Sequence, residues 1–401
     1  MPKKKTRSLV LIACAGAIFW PGAFVFGFPG LFRQYWQQTF GAKAGAVGGT
    51  VFLTIIGATC FMYLCGRWQE KYGPRRLAAI GAVMGGAGTI WLSRAGSMLD
   101  VYLWAFVAGA STSFVYLPGL TIVQRWYPER RGLVAGFFNM VFGLSAAIIS
   151  PLFAVLLTKW NYATVTLAAG CSALVIGLLT AAAMRFPGSD AEMPMPGKVA
   201  PSASGGRSTG EALKTREFWF LWFTWALAGA AGVSMLVLAT GFGLDRGLAL
   251  NRAVILLTAF NLTNGFGRLI SGYLSDGIGR SRTLVISFAA AGMAYLIIPH
   301  LAGLWLWAAL MGIIGFAFGA MFAVSAPLAG DCFGMTHFGA IFGLIFTAYG
   351  FLAGPLGPWL SGYVLDVTRG DYTLVFSSLG LMYMVATMLI LMVRPWQDCR
   401  I

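Results

Sequence analysis

Arg268 stands inside "AFNLTNGFGRLISGYLSDGIGR" (259–280), a stretch that is otherwise largely apolar. Asn264 precedes it by four residues, so on a helix the two side chains share one face. A guanidinium is always charged, and its planar fork matches a carboxylate through two parallel hydrogen bonds. An asparagine beside it can donate to a second carboxylate oxygen or to a hydroxyl; it can equally bond a neighbouring helix. The chemistry on offer is anion binding. If the segment is buried in a bilayer and ends near Asp276, Arg268 lies ~12 Å from the helix end. Reaching the interface from there is a poor escape, and a cation at that depth costs ~3 kcal/mol or more. Pairing with a buried carboxylate, or capping of broken-helix carbonyls, would be the purely structural answer. Against the pairing, all thirteen Asp and Glu lie in loops or near the ends of apolar runs. The missing counter-charge is most simply a bound anion.

The walls of such a site are expected to be apolar and aromatic. Tyr116 sits in "FVYLPG" just before the helix-weakening Pro118, and Phe24, Phe28 and Leu31 fall roughly on one face of a Gly/Pro-broken helix. Phe318 and Phe322 are four apart, and Phe346 and Tyr349 three apart. Any one of these aromatics could simply be packing. The two tyrosines stand out because a buried hydroxyl needs a partner.

The elements that must position these residues are membrane spans. The chain has 401 residues, 58% of them hydrophobic and 10% charged, where a soluble domain has about 25% charged. Apolar runs near twenty residues long recur, the first over 8–34 and the last over 371–395, giving twelve spans. Six precede and six follow the Pro/Gly/Ser-rich "PGSDAEMPMPGKVAPSASGGRSTG", which reads as a linker. The division is therefore an N-terminal bundle over 1–186, a cytoplasmic linker over 187–216 and a C-terminal bundle over 217–401. The lysine-rich start "MPKKKTR" resembles a signal peptide, but the apolar run behind it is too long and is read as a retained first helix.

A net charge of +15 could suggest nucleic acid. Its distribution points instead to topology. With twelve spans, 20 of the 28 Lys and Arg fall on the side of both termini and the linker, and 7 on the other. Both termini are then cytoplasmic, and no nucleic-acid partner is expected. The six cysteines show no CxxC or Cys/His metal spacing and are read as small core residues. No phosphate-binding GxxxxGK[ST] loop is present, and His300 and His337 lie at span ends away from any catalytic set. The chain is read as no enzyme, with no cofactor and no metal.

The halves repeat. Gly66, Glu70 and Gly73 in "GRWQEKYGPRR" match Gly272, Asp276 and Gly279 in "GYLSDGIGRSR" at an offset of 206. Gly132, Gly136, Gly143 and Pro151 match Gly339, Gly343, Gly350 and Pro358 at 207. Parallel repeats of a six-helix unit are a transporter architecture, with the site expected where the halves meet near mid-membrane. Glu70 and Asp276 can accept bonds from helix N-termini or arginines. With Arg75 and Arg280 they are candidate gating residues. Simple loop anchoring is the plainer alternative.

The loop motif after spans two and eight resembles the major facilitator superfamily. "RWYPERRGLVAG", "GPWLSGYVLDVTRGDY" and the arginine in span eight resemble its branch of monocarboxylate transporters and oxalate–formate antiporters. The resemblance covers the whole chain and implies an all-α fold of twelve transmembrane helices in two bundles. It places Arg268 and Asn264 on the arginine, and on the acidic position one turn earlier, of animal monocarboxylate transporters. Tyr349 falls where the oxalate carrier of the branch has a lysine, and Phe346, Phe318 and Phe322 near that carrier's aromatic cage. Two departures matter. One cation instead of two favours a monocarboxylate. Gly27 and Asn264 replace a lysine and an aspartate used in proton coupling, so that mechanism does not transfer. The expectation is proton-coupled symport of a small monocarboxylate such as lactate or pyruvate. The partners are then the anion, a proton and the bilayer, and the location the bacterial inner membrane. A carboxylate exchanger is the alternative, and a non-transporting receptor a weaker one.

Overall fold

The computed structural model describes residues 4–42, 44–188 and 206–394, and each apolar run within them is helical. The long helices of the first half are α1 (Lys4–Phe26), α2 (Ala44–Tyr72), α3 (Pro74–Leu92), α4 (Met98–Trp126), α5 (Arg131–Leu157) and α6 (Tyr162–Ala183). Those of the second are α7 (Arg216–Asp245), α8 (Leu250–Ile278), α9 (Arg280–Ile297), α10 (Leu304–Phe333), α11 (Phe338–Val367) and α12 (Tyr372–Met392). Eleven of the twelve are long and apolar enough to cross a bilayer. The exception is α3, whose first turn carries Arg75 and Arg76 and whose interior is rich in glycine. Its apolar remainder packs on α4 and α6.

Lipid explains why the pattern is helical. Backbone groups in hydrocarbon must be satisfied within the segment. Buried hydroxyls follow the same rule by bonding back one turn, as Thr54 does to the Thr50 carbonyl at 2.8 Å. Large apolar side chains such as Ile12, Leu179 and Met388 are exposed, which suits a hydrocarbon solvent and not water. Helix starts are set by polar caps. The Asn161 side chain accepts from Thr164 N–H at the start of α6, and Asp371 from Thr373 N–H at the start of α12, both at 2.8 Å.

Packing groups the chain into two compact units. One takes 1–129, 141–209 and 334–344, and the other 130–140, 210–333 and 345–401. The sequence halves supply most of each unit, while α5 and α11 contribute to both. Inside the units the repeat is visible in the pairing. In the first, α2 packs on α4 and α3 on α6; in the second, α8 packs on α10 and α9 on α12. The motif glycines Gly73 and Gly279 both have positive φ, 83° and 98°. There the chain turns sharply from α2 to α3 and from α8 to α9, in a conformation that favours glycine.

The first apolar run is broken, as its Gly and Pro residues suggest: α1 ends at Phe26, and Phe28–Leu31 and Arg33–Phe40 follow as separate short helices. Other expectations need adjustment. The prolines themselves do not interrupt, since α4 runs unbroken through Pro118 and α1 through Pro21. Membrane helices tolerate proline because neighbours re-satisfy the freed groups. Of the cysteines, Cys14, Cys65 and Cys332 are buried, but Cys60 and Cys171 are exposed on helix faces. A thiol is apolar enough to face lipid as readily as core. Cys399 and most of the proposed linker lie outside the described residues. The linker's described end forms a short helix, Thr209–Leu213.

Candidate functional site

The second unit brings together six of the predicted residues, Arg268, Asn264, Phe318, Phe322, Phe346 and Tyr349. Arg268, on α8, is 2% exposed. Its Nη1 donates to the Asn139 backbone carbonyl on α5 at 3.0 Å. Its Nε and Nη2 both reach Asn264 Oδ1 at 3.4 Å, one turn earlier on α8. A helix carbonyl has a second lone pair, so Asn139 can accept without surrendering its own helix. Below the fork lies an aromatic face, with the guanidinium carbon 4.8 Å from the centre of the Phe322 ring. Two neutral oxygens and a π face solvate the cation here.

Close backbone approach makes this possible. A Cβ at Gly136 of α5 would fall on the Arg268 carbonyl. A Cβ at Gly319 of α10 would fall on the Asn264 carbonyl and lie 3.3 Å from Arg268 Cγ. Small residues at both crossings let α5 and α10 press against the α8 segment that carries the arginine.

The remaining rings extend outward from Phe322. Phe318 is edge-on to it at 5.3 Å, and Tyr349 edge-on at 5.3 Å. Phe346 lies 5.6 Å from Tyr349. Tyr349 opens a π-helical turn, Tyr349–Ala353, in the middle of α11. Such turns place one extra residue in the helix and are frequent at functional sites.

Two contributors were not visible in the sequence. Trp225 on α7 is fully buried, with its ring 5.2 Å from Phe322, 5.4 Å from Phe346 and 6.1 Å from Tyr349. It is one of 14 tryptophans, and tryptophan in a membrane chain ordinarily signals an interface. Asn139 enters through its backbone, which no side-chain pattern announces. Phe260, stacked on Phe318 at 5.9 Å, continues the aromatic group along α8.

The other predicted wall residues belong to the first unit. Phe24 and Phe28 are fully buried in its core. Phe28 is stacked on Trp104 at 5.6 Å and meets Phe24 at 5.1 Å. Leu31 is partly buried against the same cluster. Tyr116 is 1% exposed, with its ring 5.3 Å from Phe142.

The candidate gating residues also divide by unit. In the first, Glu70 receives both arms of Arg125, at 2.6 and 3.3 Å, and Arg125 donates further to the Met335 carbonyl at 2.8 Å. Arg75 is exposed at the start of α3. In the second, Asp276 caps α5: its two oxygens accept from the Gly132 and Leu133 N–H groups, both at 2.8 Å. Arg280 pairs with Asp276 at 3.9 Å and with Asp331, and Arg131 meets Asp331 at 3.7 Å. Asp331 and Arg131 thus join the group that sequence reasoning assigned to Asp276 and Arg280 alone.

The sequence profile of the Major Facilitator Superfamily matches residues 8–257 and 242–397. Among curated proteins, the oxalate:formate antiporter of Oxalobacter formigenes is 27% identical over 285 residues, 71% of this chain and 67% of that one. Monocarboxylate transporter 13 of Bos taurus is 27% identical over 325 residues, 78% of this chain and 72% of that one. Among solved structures, the E. coli fucose:proton symporter superposes with a TM-score of 0.71 at 14% identity, covering 95% of this chain and 98% of that one. The proton:xylose symporter gives 0.73 at 13%, covering 97% and 96%. At such identities these structures speak to fold alone.

Proposed function

The chain belongs to the Major Facilitator Superfamily, whose members are transporters and not enzymes, and we propose that it carries small monocarboxylates such as lactate, pyruvate or propionate together with a proton. One observation carries the reading: Arg268, 2% exposed, is held by Asn264 and the Asn139 carbonyl over the Phe322 ring. A fork pre-positioned in apolar surroundings binds a carboxylate with two charge-assisted bonds. The likeness to an oxalate:formate antiporter and to monocarboxylate transporters supports the same substrate class.

Charge count supports one carboxylate per substrate. Of Arg268, Asn264, Trp225, Phe318, Phe322, Phe346 and Tyr349, one is cationic. A second carboxylate would be desolvated without a matching cation, at a cost of several kcal/mol. Lactate is therefore expected to compete for binding far better than oxalate or succinate. Tighter binding of either diacid would overturn the monocarboxylate assignment.

Coupling follows from the same group, which holds no Asp, Glu or His, while arginine cannot release its proton. The carried proton then rides on the substrate. A carboxylic acid has a pKa of about 4 in water, held low against Arg268, and protonation accompanies its departure from the guanidinium. Symport of an anion with a proton is electroneutral. In proteoliposomes an inward proton gradient should accelerate uptake, an uncoupler should remove that effect, and an imposed potential should do little. Uptake that ignores the gradient but requires carboxylate inside would identify an exchanger, the reading favoured by the oxalate:formate relative. The Lys and Arg asymmetry supports cytoplasmic termini, with Glu70, Arg75, Asp276 and Arg280 as closing contacts on that side.

A further inference from the structure

We propose that one face of α7, carrying Trp225, Gly229 and Gly232, sets the size of the acid that the site accepts. The inference rests on the carboxylate reading of Arg268. Residues 225, 229 and 232 are spaced i, i+4, i+7, so they line one side of the helix. Each meets a ring that α10 or α11 contributes. Trp225 lies against Phe322, Phe346 and Tyr349. A Cβ at Gly229 would approach Tyr349 Cδ2 to 3.1 Å, and a Cβ at Gly232 would clash with the Phe318 ring, 2.1 Å from its Cδ2.

The face therefore works as a template of one very large and two absent side chains. Trp225 meets Phe322 in a T-shaped contact at 5.2 Å, and the Arg268 guanidinium carbon lies 4.8 Å from the centre of the same ring. The two glycines let Tyr349 and Phe318 settle back onto α7. Protein interiors are close-packed, so a ring that loses its support or its recess has to move. Volume removed at 225 lets the aromatic wall fall back. Volume added at 232 drives Phe318 off α7. These are positioning residues: they act on the substrate through the rings.

The test compares uptake of labelled propionate and labelled 3-methylbutanoate by purified full-length protein in proteoliposomes, read as the ratio of their kcat/KM values. Trp225→Leu should raise the ratio in favour of the bulkier acid by about tenfold, and Gly232→Ala should lower it by about tenfold. Pairing Gly232→Ala with Phe318→Leu should bring the ratio back to within about twofold of the original, because the displaced ring is gone. If Gly232→Ala fails to elute as a folded protein, Trp225→Phe and Trp225→Leu carry the test, with the ratio rising in the order of volume removed. Equal scaling of both acids in every variant, with Arg268→Ala still abolishing uptake, would overturn the role of α7. Wild-type uptake by Arg268→Ala would instead overturn the carboxylate reading itself.

Discussion

Two repeat-related corners of this chain share a scaffold and differ in chemistry. Where α2 meets the start of α11, a Cβ at Gly66 would fall on the Gly339 carbonyl, and one at Gly343 would come within 2.8 Å of the Met62 carbonyl. Where α8 meets the start of α5, a Cβ at Gly272 would fall on the Gly132 carbonyl, and one at Gly136 on the Arg268 carbonyl. The glycines are the same ones that repeat at offsets of 206 and 207. The side chains mounted on them are not. Met62, buried and uncharged, stands where the other corner has Arg268. Glu70 is held by the Arg125 side chain, whereas Asp276, besides Arg280 at 3.9 Å, takes two backbone N–H groups of α5. Repetition carries the packing, and departure from repetition carries the charge.

The sharpest way to break this comparison is at the unmatched pair. Arg268→Ala is expected to reduce saturable uptake roughly 100-fold or more, from ~3 kcal/mol for a buried charge-assisted contact. Arg268→Lys should be nearly as damaging because the fork is lost. Met62→Ala should leave uptake within about threefold, since a packing loss is felt mainly as stability. Equal transport defects at 62 and 268 would mean that the charge is not what distinguishes the corners.

Glycine replacement tests what they share. Gly136→Ala and Gly343→Ala both put a methyl against a carbonyl of the facing helix, and each should lose about 1–3 kcal/mol of stability by overpacking. Melting temperature in detergent is the readout, and the two losses should agree within about 1 kcal/mol. A large loss in only one corner would show that the crossings are not equivalent.

The acids should give the smallest effects, and unequal ones. Asp276→Ala removes a two-pronged helix cap and should cost about 1–2 kcal/mol. Glu70 has a side chain 36% exposed, so its ion pair with Arg125 is worth at most about 1 kcal/mol. Glu70→Ala should therefore lower the melting temperature less than Asp276→Ala. The reverse order would mean that the Arg125 contact to the Met335 carbonyl depends on Glu70 more strongly than the geometry indicates.

Most of the fold was legible because bilayer burial makes each helix announce itself as a long apolar run. The repeat was legible for a related reason: close crossings exclude every side chain but glycine, so the pattern survives as letters. Arg268 and Asn264 were legible because charge and amide are conspicuous against hydrocarbon. Trp225 was hidden among apolar residues that all favour the same environment, and nothing in its spacing marked it. The Asn139 carbonyl was hidden for a deeper reason, since every residue has one and only packing selects which is used. The break near Gly27 was legible as a Gly/Pro-broken helix, whereas the continuity of α4 through Pro118 and of α1 through Pro21 was beyond local propensity, because neighbouring helices decide whether a proline interrupts a span.

The π-helical turn in α11 has a consequence for the repeat itself. Between Gly143 and Pro151, α5 is continuous α-helix; between Gly350 and Pro358, α11 passes through the turn in which Gly354 N–H bonds to the Tyr349 carbonyl, five residues back. The residue count is identical on the two paths. One extra residue per turn is worth about 100° of rotation. Pro151 and Pro358 therefore correspond as letters while pointing to different compass bearings around their helices. The duplication is intact as text and out of phase as geometry, and the phase slips at Tyr349, the residue whose ring meets Trp225 and Phe322.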